Sequence, residues 1–142
     1  MAIKRSGSAL WSGGLKDGKG SITTESGALK DYPYGFSSRF EGVAGTNPEE
    51  LIGAAHAGCF TMALSLILGD AGLKAERMET KAVVSLEKGD AGYSIPAVHL
   101  TLRAKVPGTD EKTFLDLAQK AKANCPVSKL LNADITLDAS LE

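Results

Sequence analysis

The alternation of apolar and polar residues changes character several times along the chain, and each change predicts an element. Ala9-Leu10-Trp11 and Ser21-Ile22-Thr23-Thr24 flank the glycine-rich stretch Ser12-Gly13-Gly14-Leu15-Lys16-Asp17-Gly18-Lys19-Gly20, which predicts a β-hairpin. Gly27 to Tyr34, punctuated by Pro33, reads as a loop, and Ser38-Arg39-Phe40 as a further short strand. The periodicity then becomes helical. Asn47 suits an N-cap, Pro48 the first helical position, and Glu50 the carboxylate of a capping box, so a helix runs from Pro48 to about Gly69. It is apolar nearly all round, which predicts a central, buried helix.

Two alternating runs follow. Ala82, Val84 and Leu86 share one face of a strand. In the next, Val98, Leu100, Leu102, Ala104 and Val106 oppose His99, Thr101, Arg103 and Lys105. Gly89-Asp90-Ala91-Gly92 between them is the turn of a hairpin, and Pro96 predicts an edge position or a bulge. Thr109-Asp110-Glu111 opens a second helix whose inner stripe is Phe114, Leu117, Ala118 and Ala121. Asn124-Cys125-Pro126 interrupts it before a short helix at Val127 to Leu131. Ile135, Leu137, Ala139 and Leu141 then alternate along a last half-buried strand. No linker or low-complexity segment divides the chain, so the reading is one α+β domain over 1–142.

Composition narrows the functional classes. The 142 residues are 43% hydrophobic and 23% charged, as expected of a folded globular domain. Sixteen Lys and Arg against 17 Asp and Glu leave a net charge of −1, which disfavours a dedicated nucleic-acid binder. The N-terminus has no apolar run after its basic residues, so it does not read as a signal peptide. From Leu51 to Leu68 there is no Asp, Glu, Lys or Arg, long enough for a membrane span. The run nevertheless contains His56, Thr61 and Ser65 and is bracketed by Glu49-Glu50 and Asp70 instead of basic residues. The reading is a buried soluble helix with no membrane, in a cytoplasmic protein. The glycine-rich turn lacks a nucleotide-binding Lys-Ser or Lys-Thr end, and the Gly-Asp-Ala-Gly sequences carry an acid where an RNA clamp cannot tolerate one.

The chemistry-bearing residues are few. Two cysteines, Cys59 and Cys125, make either inert core thiols or one redox pair. Locally Cys125 looks the more activated, because it precedes a helix start, where partial positive charge lowers a thiol pKa. His56 and Cys59 share a helix face and, with Cys125 and His99, are the residues a zinc site would use, but no Cys-x-x-Cys pair exists and His99 lies on a polar face. His56 otherwise reads as one polar group in a core, hydrogen-bonded to a neighbour. Arg39 is either a solvated arginine or a fixed cation beside a thiolate or an oxygen substrate. Glu50 suits the helix cap, which leaves Glu49 freer.

Thr46-Asn47-Pro48-Glu49-Glu50-Leu51-Ile52-Gly53-Ala54-Ala55-His56-Ala57-Gly58-Cys59-Phe60 closely resembles the central-helix motif of the OsmC/Ohr family, the osmotically inducible protein C and organic hydroperoxide resistance proteins. Lys122-Ala123-Asn124-Cys125-Pro126-Val127-Ser128 resembles its second cysteine motif. Trp11-Ser12-Gly13-Gly14, Thr24-Glu25-Ser26-Gly27, Tyr34-Gly35-Phe36 and Arg39-Phe40-Glu41-Gly42 resemble the OsmC branch in particular. The other branch takes its arginine from the N-terminal turn, where this chain has none. The similarity runs essentially end to end.

The resemblance implies a mostly antiparallel sheet packed around a long central helix in an intertwined homodimer. It implies thiol-dependent reduction of organic hydroperoxides, and less efficiently of hydrogen peroxide, in oxidative or osmotic stress defence. Cys59 matches the peroxidatic cysteine and Cys125 the resolving one, joined as a disulfide during turnover. Arg39 matches the arginine that stabilises the thiolate, and Glu49 the carboxylate that orients it, through a bidentate pair. No cofactor and no metal are implied. The reductant would be a dithiol, such as a lipoylated protein. Phe36, Phe40, Phe60 and Met62 either favour alkyl hydroperoxides or simply fill the core. The motif thus reverses the local ranking of the two cysteines.

One geometric consequence follows. Glu49 and Cys59 stand ten residues apart on one helix, about 15 Å along its axis, which a glutamate side chain does not span. If both serve one site on a straight helix, Glu49 comes from a second subunit.

Overall fold

The computed structural model describes residues 1–142. The chain forms two compact units, Met1–Leu51 and Ile52–Glu142.

In the first unit, β1 (Gly7–Ser12), β2 (Lys19–Thr24) and β3 (Tyr32–Tyr34) form an antiparallel sheet in the order β1-β2-β3. The hairpin is as the sequence predicts, with Trp11 opposite Gly20. Gly20 has no substitute here, because a Cβ would stand 2.5 Å from the Tyr34 ring and 2.7 Å from Trp11. Those two rings meet edge to face at 5.6 Å. Two expectations are corrected. The end of the anticipated loop is strand β3, which tolerates Pro33 because it is an edge strand. Ser38-Arg39-Phe40 is helical, within α1 (Phe36–Phe40). The Ser38 hydroxyl turns this segment: it accepts the Gly35 N–H at 2.9 Å and lies 2.8 Å from the Thr46 carbonyl oxygen, to which it donates. Such a local bond competes with an extended backbone.

Helix α2 (Pro48–Asp70) starts in the first unit and continues into the second. Asn47 caps it, its side-chain oxygen accepting the Glu50 N–H at 2.8 Å. The Glu50 carboxylate does not close the expected capping box but accepts from the Thr46 hydroxyl at 2.6 Å.

In the second unit, β4 (Arg77–Gly89) and β5 (Gly92–Lys105) form the anticipated hairpin, and β6 (Asp134–Leu141) lies parallel to β5. The register slips between Ser85 and Glu87, opposite the stretch of β5 that contains Pro96, which is the expected bulge. Helix α3 (Glu111–Asn124) is capped by Asp110, whose carboxylate accepts the Thr113 N–H at 2.8 Å. A hydrogen bond from the Thr113 hydroxyl, and then this one, hold the Asp110 carboxyl below its usual range. Helix α4 (Pro126–Leu130) follows, with Cys125 between the two helices.

The core of this unit joins Phe60, Leu64 and Leu68 of α2 to Val98, Leu100 and Leu102 of β5 and to Phe114, Ala118 and Ala121 of α3. Gly53 lets α2 approach β4: a Cβ there would lie 3.1 Å from the Ala82 carbonyl oxygen. Phe114 has no accessible surface, so Phe114→Ala should cost about 3–5 kcal/mol, measured as a lowered urea midpoint at unchanged slope.

Burial of α2 all round is not what this chain shows. The stripe Gly53, His56, Phe60, Leu64, Leu68 is buried, whereas Ala54, Ala55, Gly58, Met62 and Leu66 are exposed. Met62 and Leu66 keep 76% and 68% of their surface. The helix is long and apolar enough to cross a membrane by length and composition alone. The architecture is α+β, with a long helix and two three-stranded sheets in which only the β5–β6 pairing is parallel.

Candidate functional site

Two clusters carry the chemistry, one in each unit. In the second unit, α2 supplies Cys59 and the junction of α3 and α4 supplies Cys125. The two sulfurs share a hydrogen bond, and both thiols are free. The sequence makes this junction in a simple way. Pro126 cannot continue α3, and its preceding residue is driven to extended geometry, so Cys125 has ψ 127° and caps both helices. Cys125 has no accessible surface, whereas Cys59 is partly exposed.

The two thiols are unequal. Burial and the hydrogen bond with Cys125 push the Cys59 thiol up from its ordinary range. Burial would also raise Cys125, but hydrogen bonds from Cys59, from the Ser128 backbone and hydroxyl, and from the Val127 backbone outweigh it and bring its thiol down. The reduced pair therefore loses its protons in two separate steps. Followed by thiolate absorbance near 240 nm, the first step should fall below the ordinary thiol range and the second above it. A single transition of two thiolates would contradict this.

His56 is fully buried one turn before Cys59. Its Nε2 lies 2.8 Å from the Ser128 hydroxyl oxygen, and its Nδ1 has no partner. Burial lowers its pKa, so the ring is neutral. The polar core histidine read from the sequence thus has its neighbour, but Ser128 itself had no distinguishing signal. His99 is engaged elsewhere: its Nδ1 is 2.5 Å from the Thr136 hydroxyl and its Nε2 is 3.2 Å from Asp138. No group of three or more His, Cys, Asp and Glu side chains comes together to hold a metal.

In the first unit, Arg39 on α1 meets Glu49 in the first turn of α2. Arg39 Nε and Nη2 both donate to Glu49 Oε1, at 3.0 and 2.7 Å. The anticipated pair forms, but both donors converge on one carboxylate oxygen instead of using two. The guanidinium also sits 5.4 Å from the centre of the Phe40 ring. Beside it opens a cavity of about 210 Å³ whose walls include Trp11, Leu15, Tyr34, Phe36, Arg39 and Phe40. It pairs one fixed cation with an apolar lining, suited to a small molecule with an oxygen-rich head and a hydrocarbon body. Of the four aromatic or sulfur side chains singled out in the sequence, Phe36 and Phe40 line this cavity. Phe60 is core, and Met62 is exposed on α2.

Known proteins share both this sequence and this fold. Residues 40–140 match the family model described as OsmC-like protein. Peroxiredoxin OsmC of Escherichia coli K12 is 56% identical over 142 residues, covering all of this chain and 99% of its own. Organic hydroperoxide resistance protein OhrA of Bacillus subtilis is 37% identical over 99 residues, 67% of each chain. Among solved structures, OhrB of B. subtilis superposes with a TM-score of 0.67 at 26% identity, covering 96% of this chain and 98% of its own. An OsmC-like protein of Vibrio cholerae gives a TM-score of 0.77 at 18% identity, covering 98% of this chain and all of its own. With a family match over most of its length and a full-length relative at 56% identity, the chain belongs to the OsmC-like family.

Proposed function

We propose that this protein is a thiol peroxidase that reduces organic hydroperoxides to alcohols, with Cys59 as nucleophile and Cys125 as resolving thiol. The observation that carries the reading is the hydrogen-bonded contact between the two free sulfurs, one partly exposed and one fully buried. The full-length relative named a peroxiredoxin, and the relatives named for organic hydroperoxide resistance, point the same way.

The chemistry balances without a cofactor. The Cys59 thiolate attacks the terminal oxygen of the hydroperoxide. An S–O bond forms, the O–O bond breaks, and the departing alkoxide takes a proton to leave as alcohol. The Cys125 sulfur then attacks the Cys59 sulfenic acid, and water leaves as the disulfide forms. A dithiol reductant reopens it by exchange, accepting the disulfide and returning two thiols. A lipoylated protein carries such a dithiol, and a reducing cytoplasm would supply it.

Arg39 supplies the positive charge. A guanidinium beside Cys59 offsets the burial that raises its thiol and stabilises the negative oxygen that develops in attack. Glu49 holds that guanidinium in one orientation. The Arg39–Glu49 pair serves the cysteine pair of a second subunit, a reading supported by the ten-residue spacing of Glu49 and Cys59 on α2. The bare apolar face of α2 around Met62 and Leu66 is then covered in an intertwined homodimer. On this reading residues 1–142 act as one folding domain, and α2 is an interface helix and not a membrane span.

The test uses reduced full-length protein with cumene hydroperoxide under excess dithiol. Catalytic peroxide loss, faster than with hydrogen peroxide at equal concentration, is the expected outcome. Binding of the hydroperoxide with no loss above background would overturn the enzyme reading in favour of a binding module built on the Arg39 cavity.

A further inference from the structure

We propose that His56 and Ser128 form a buried hydrogen-bond chain that positions the Cys125 sulfur to resolve the Cys59 sulfenic acid. This inference rests on the peroxidase reading above and assigns two residues to its second step.

The geometry is a line of contacts converging on one sulfur. His56 and Cys59 are three residues apart on α2, so both side chains face the α3–α4 junction. Cys125 and Ser128 are likewise three apart, at the cap and in the first turn of α4. His56 Nε2 is 2.8 Å from Ser128 Oγ, and the Ser128 hydroxyl in turn bonds Cys125. A serine hydroxyl has a single proton. If that proton goes to sulfur, the oxygen must accept from His56, so the ring carries its hydrogen on Nε2 and leaves Nδ1 bare. Nδ1 is indeed without a partner, in a ring with no accessible surface. The opposite tautomer would bury an N–H donor with nothing to receive it and withdraw the hydroxyl proton from the sulfur. An imidazolium would bury an unpaired charge as well, and burial already drives the ring to its neutral form.

The chain therefore runs His56 Nε2–H to Ser128 Oγ, and Ser128 Oγ–H to Cys125 Sγ. His56 does not act as a base: it fixes the serine, and the serine holds the anion. In the resolving step the Cys125–Cys59 S–S bond forms and the Cys59 S–O bond breaks. The hydroxide takes a proton from solvent and leaves as water, since the Cys125 anion has none to give. Cys125 is oxidised and the sulfenic sulfur reduced by one unit each, so the step needs no further reagent. The remaining charged groups of the neighbouring elements are otherwise disposed. Lys122 of α3 donates to the Ile135 carbonyl oxygen, and Lys129 of α4 is exposed, so within this chain Cys59 and His56 are the titratable groups bonded to the Cys125–Ser128 pair, and on the proposed reading Arg39 and Glu49 of a second subunit join them.

The full-length protein, reduced and given one equivalent of cumene hydroperoxide, separates the two steps. Peroxide loss reports the attack by Cys59, and decay of dimedone-trappable sulfenic acid reports resolution by Cys125. Ser128→Ala should slow the decay about tenfold with peroxide loss within about twofold of the parent. Ser128→Thr and His56→Gln, which keep a hydroxyl and an N–H donor at matching atoms, should resolve near the parent rate. His56→Phe should behave like Ser128→Ala. Decay at the parent rate in Ser128→Ala, or equal slowing of both steps, would overturn the assignment. The thiolate titration gives an answer that needs no peroxide. Its first midpoint should rise by about one unit in Ser128→Ala and stay put in Ser128→Thr. An unmoved midpoint in Ser128→Ala overturns the chain even if the peroxidase reading stands. Absence of any sulfenic acid in the parent protein, with the midpoint moving as expected, would fault the peroxidase reading alone.

Discussion

Cys59→Ser protein should consume no hydroperoxide, losing on the order of a thousandfold or more in rate, while Cys125→Ser should complete one turnover per subunit and stop. This outcome runs against the standing charge in the reduced pair, which makes it informative. Hydrogen bonds from Ser128 and Val127 place the more stable anion on Cys125, and burial lifts Cys59. Charge at rest does not choose the nucleophile, however. Cys125 has no surface a peroxide could reach, and Cys59 has some. The sulfurs share one hydrogen bond, so moving the proton from Cys59 to Cys125 is a displacement within that bond. A guanidinium brought beside Cys59 favours the displacement. Access then decides which sulfur meets the oxidant, and Cys125, once its proton has gone to the departing alkoxide, is the anion poised for the sulfenic acid that follows. Dimedone should label Cys59 after one equivalent of peroxide in Cys125→Ser, and the label should persist until an external thiol is added. If Cys125→Ser lost the first turnover and Cys59→Ser kept it, the roles would be reversed.

Much of this arrangement is written locally. Asn47-Pro48 and Asp110 set the starts of α2 and α3 through caps that need only neighbouring residues. The β4–β5 hairpin follows from its alternation, and its bulge from Pro96. What the sequence conceals depends on distant partners. The extended reading of Ser38 to Phe40 fails because a hydroxyl bond from Ser38 to Thr46 closes a helical turn too short to show a period. The edge strand β3 exists only because β2 offers it a partner. The parallel pairing of β6 with β5 leaves no trace in an alternation that either direction would satisfy. In the site, the cysteines, Arg39 and Glu49 are legible because motifs carry them. The bond from His56 to Ser128 spans 72 positions, and no spacing rule joins residues that far apart. The even apolarity of α2 reads as burial on every side, whereas the chain buries one stripe of it and leaves the face of Met62 and Leu66 exposed.

That second face leads to the other large effect. A protein carrying Cys59→Ser and one carrying Arg39→Ala should each be nearly inactive alone, yet regain activity when their subunits are mixed by co-expression. If Arg39 of one subunit serves Cys59 of the other, a mixed dimer holds one site with both groups intact and one with neither. Random pairing makes half of all dimers mixed, so roughly a quarter of the parent activity should return. If Arg39 served the cysteine of its own chain, no pairing would restore a complete site and activity would stay at the sum of the two variants. The same interface can be opened directly. Met62→Glu with Leu66→Glu places charge on side chains that stay largely exposed within the chain. The folded core should survive, since Phe60, Leu64 and Leu68 lie on the opposite stripe. In a dimer those carboxylates would be buried against apolar neighbours without partners, so sedimentation should show the mass of one chain. Peroxide turnover should fall together with the dimer, because the cysteine pair would remain while its arginine departs with the other subunit. Full activity in a monomer of confirmed mass would show that one chain completes its own site.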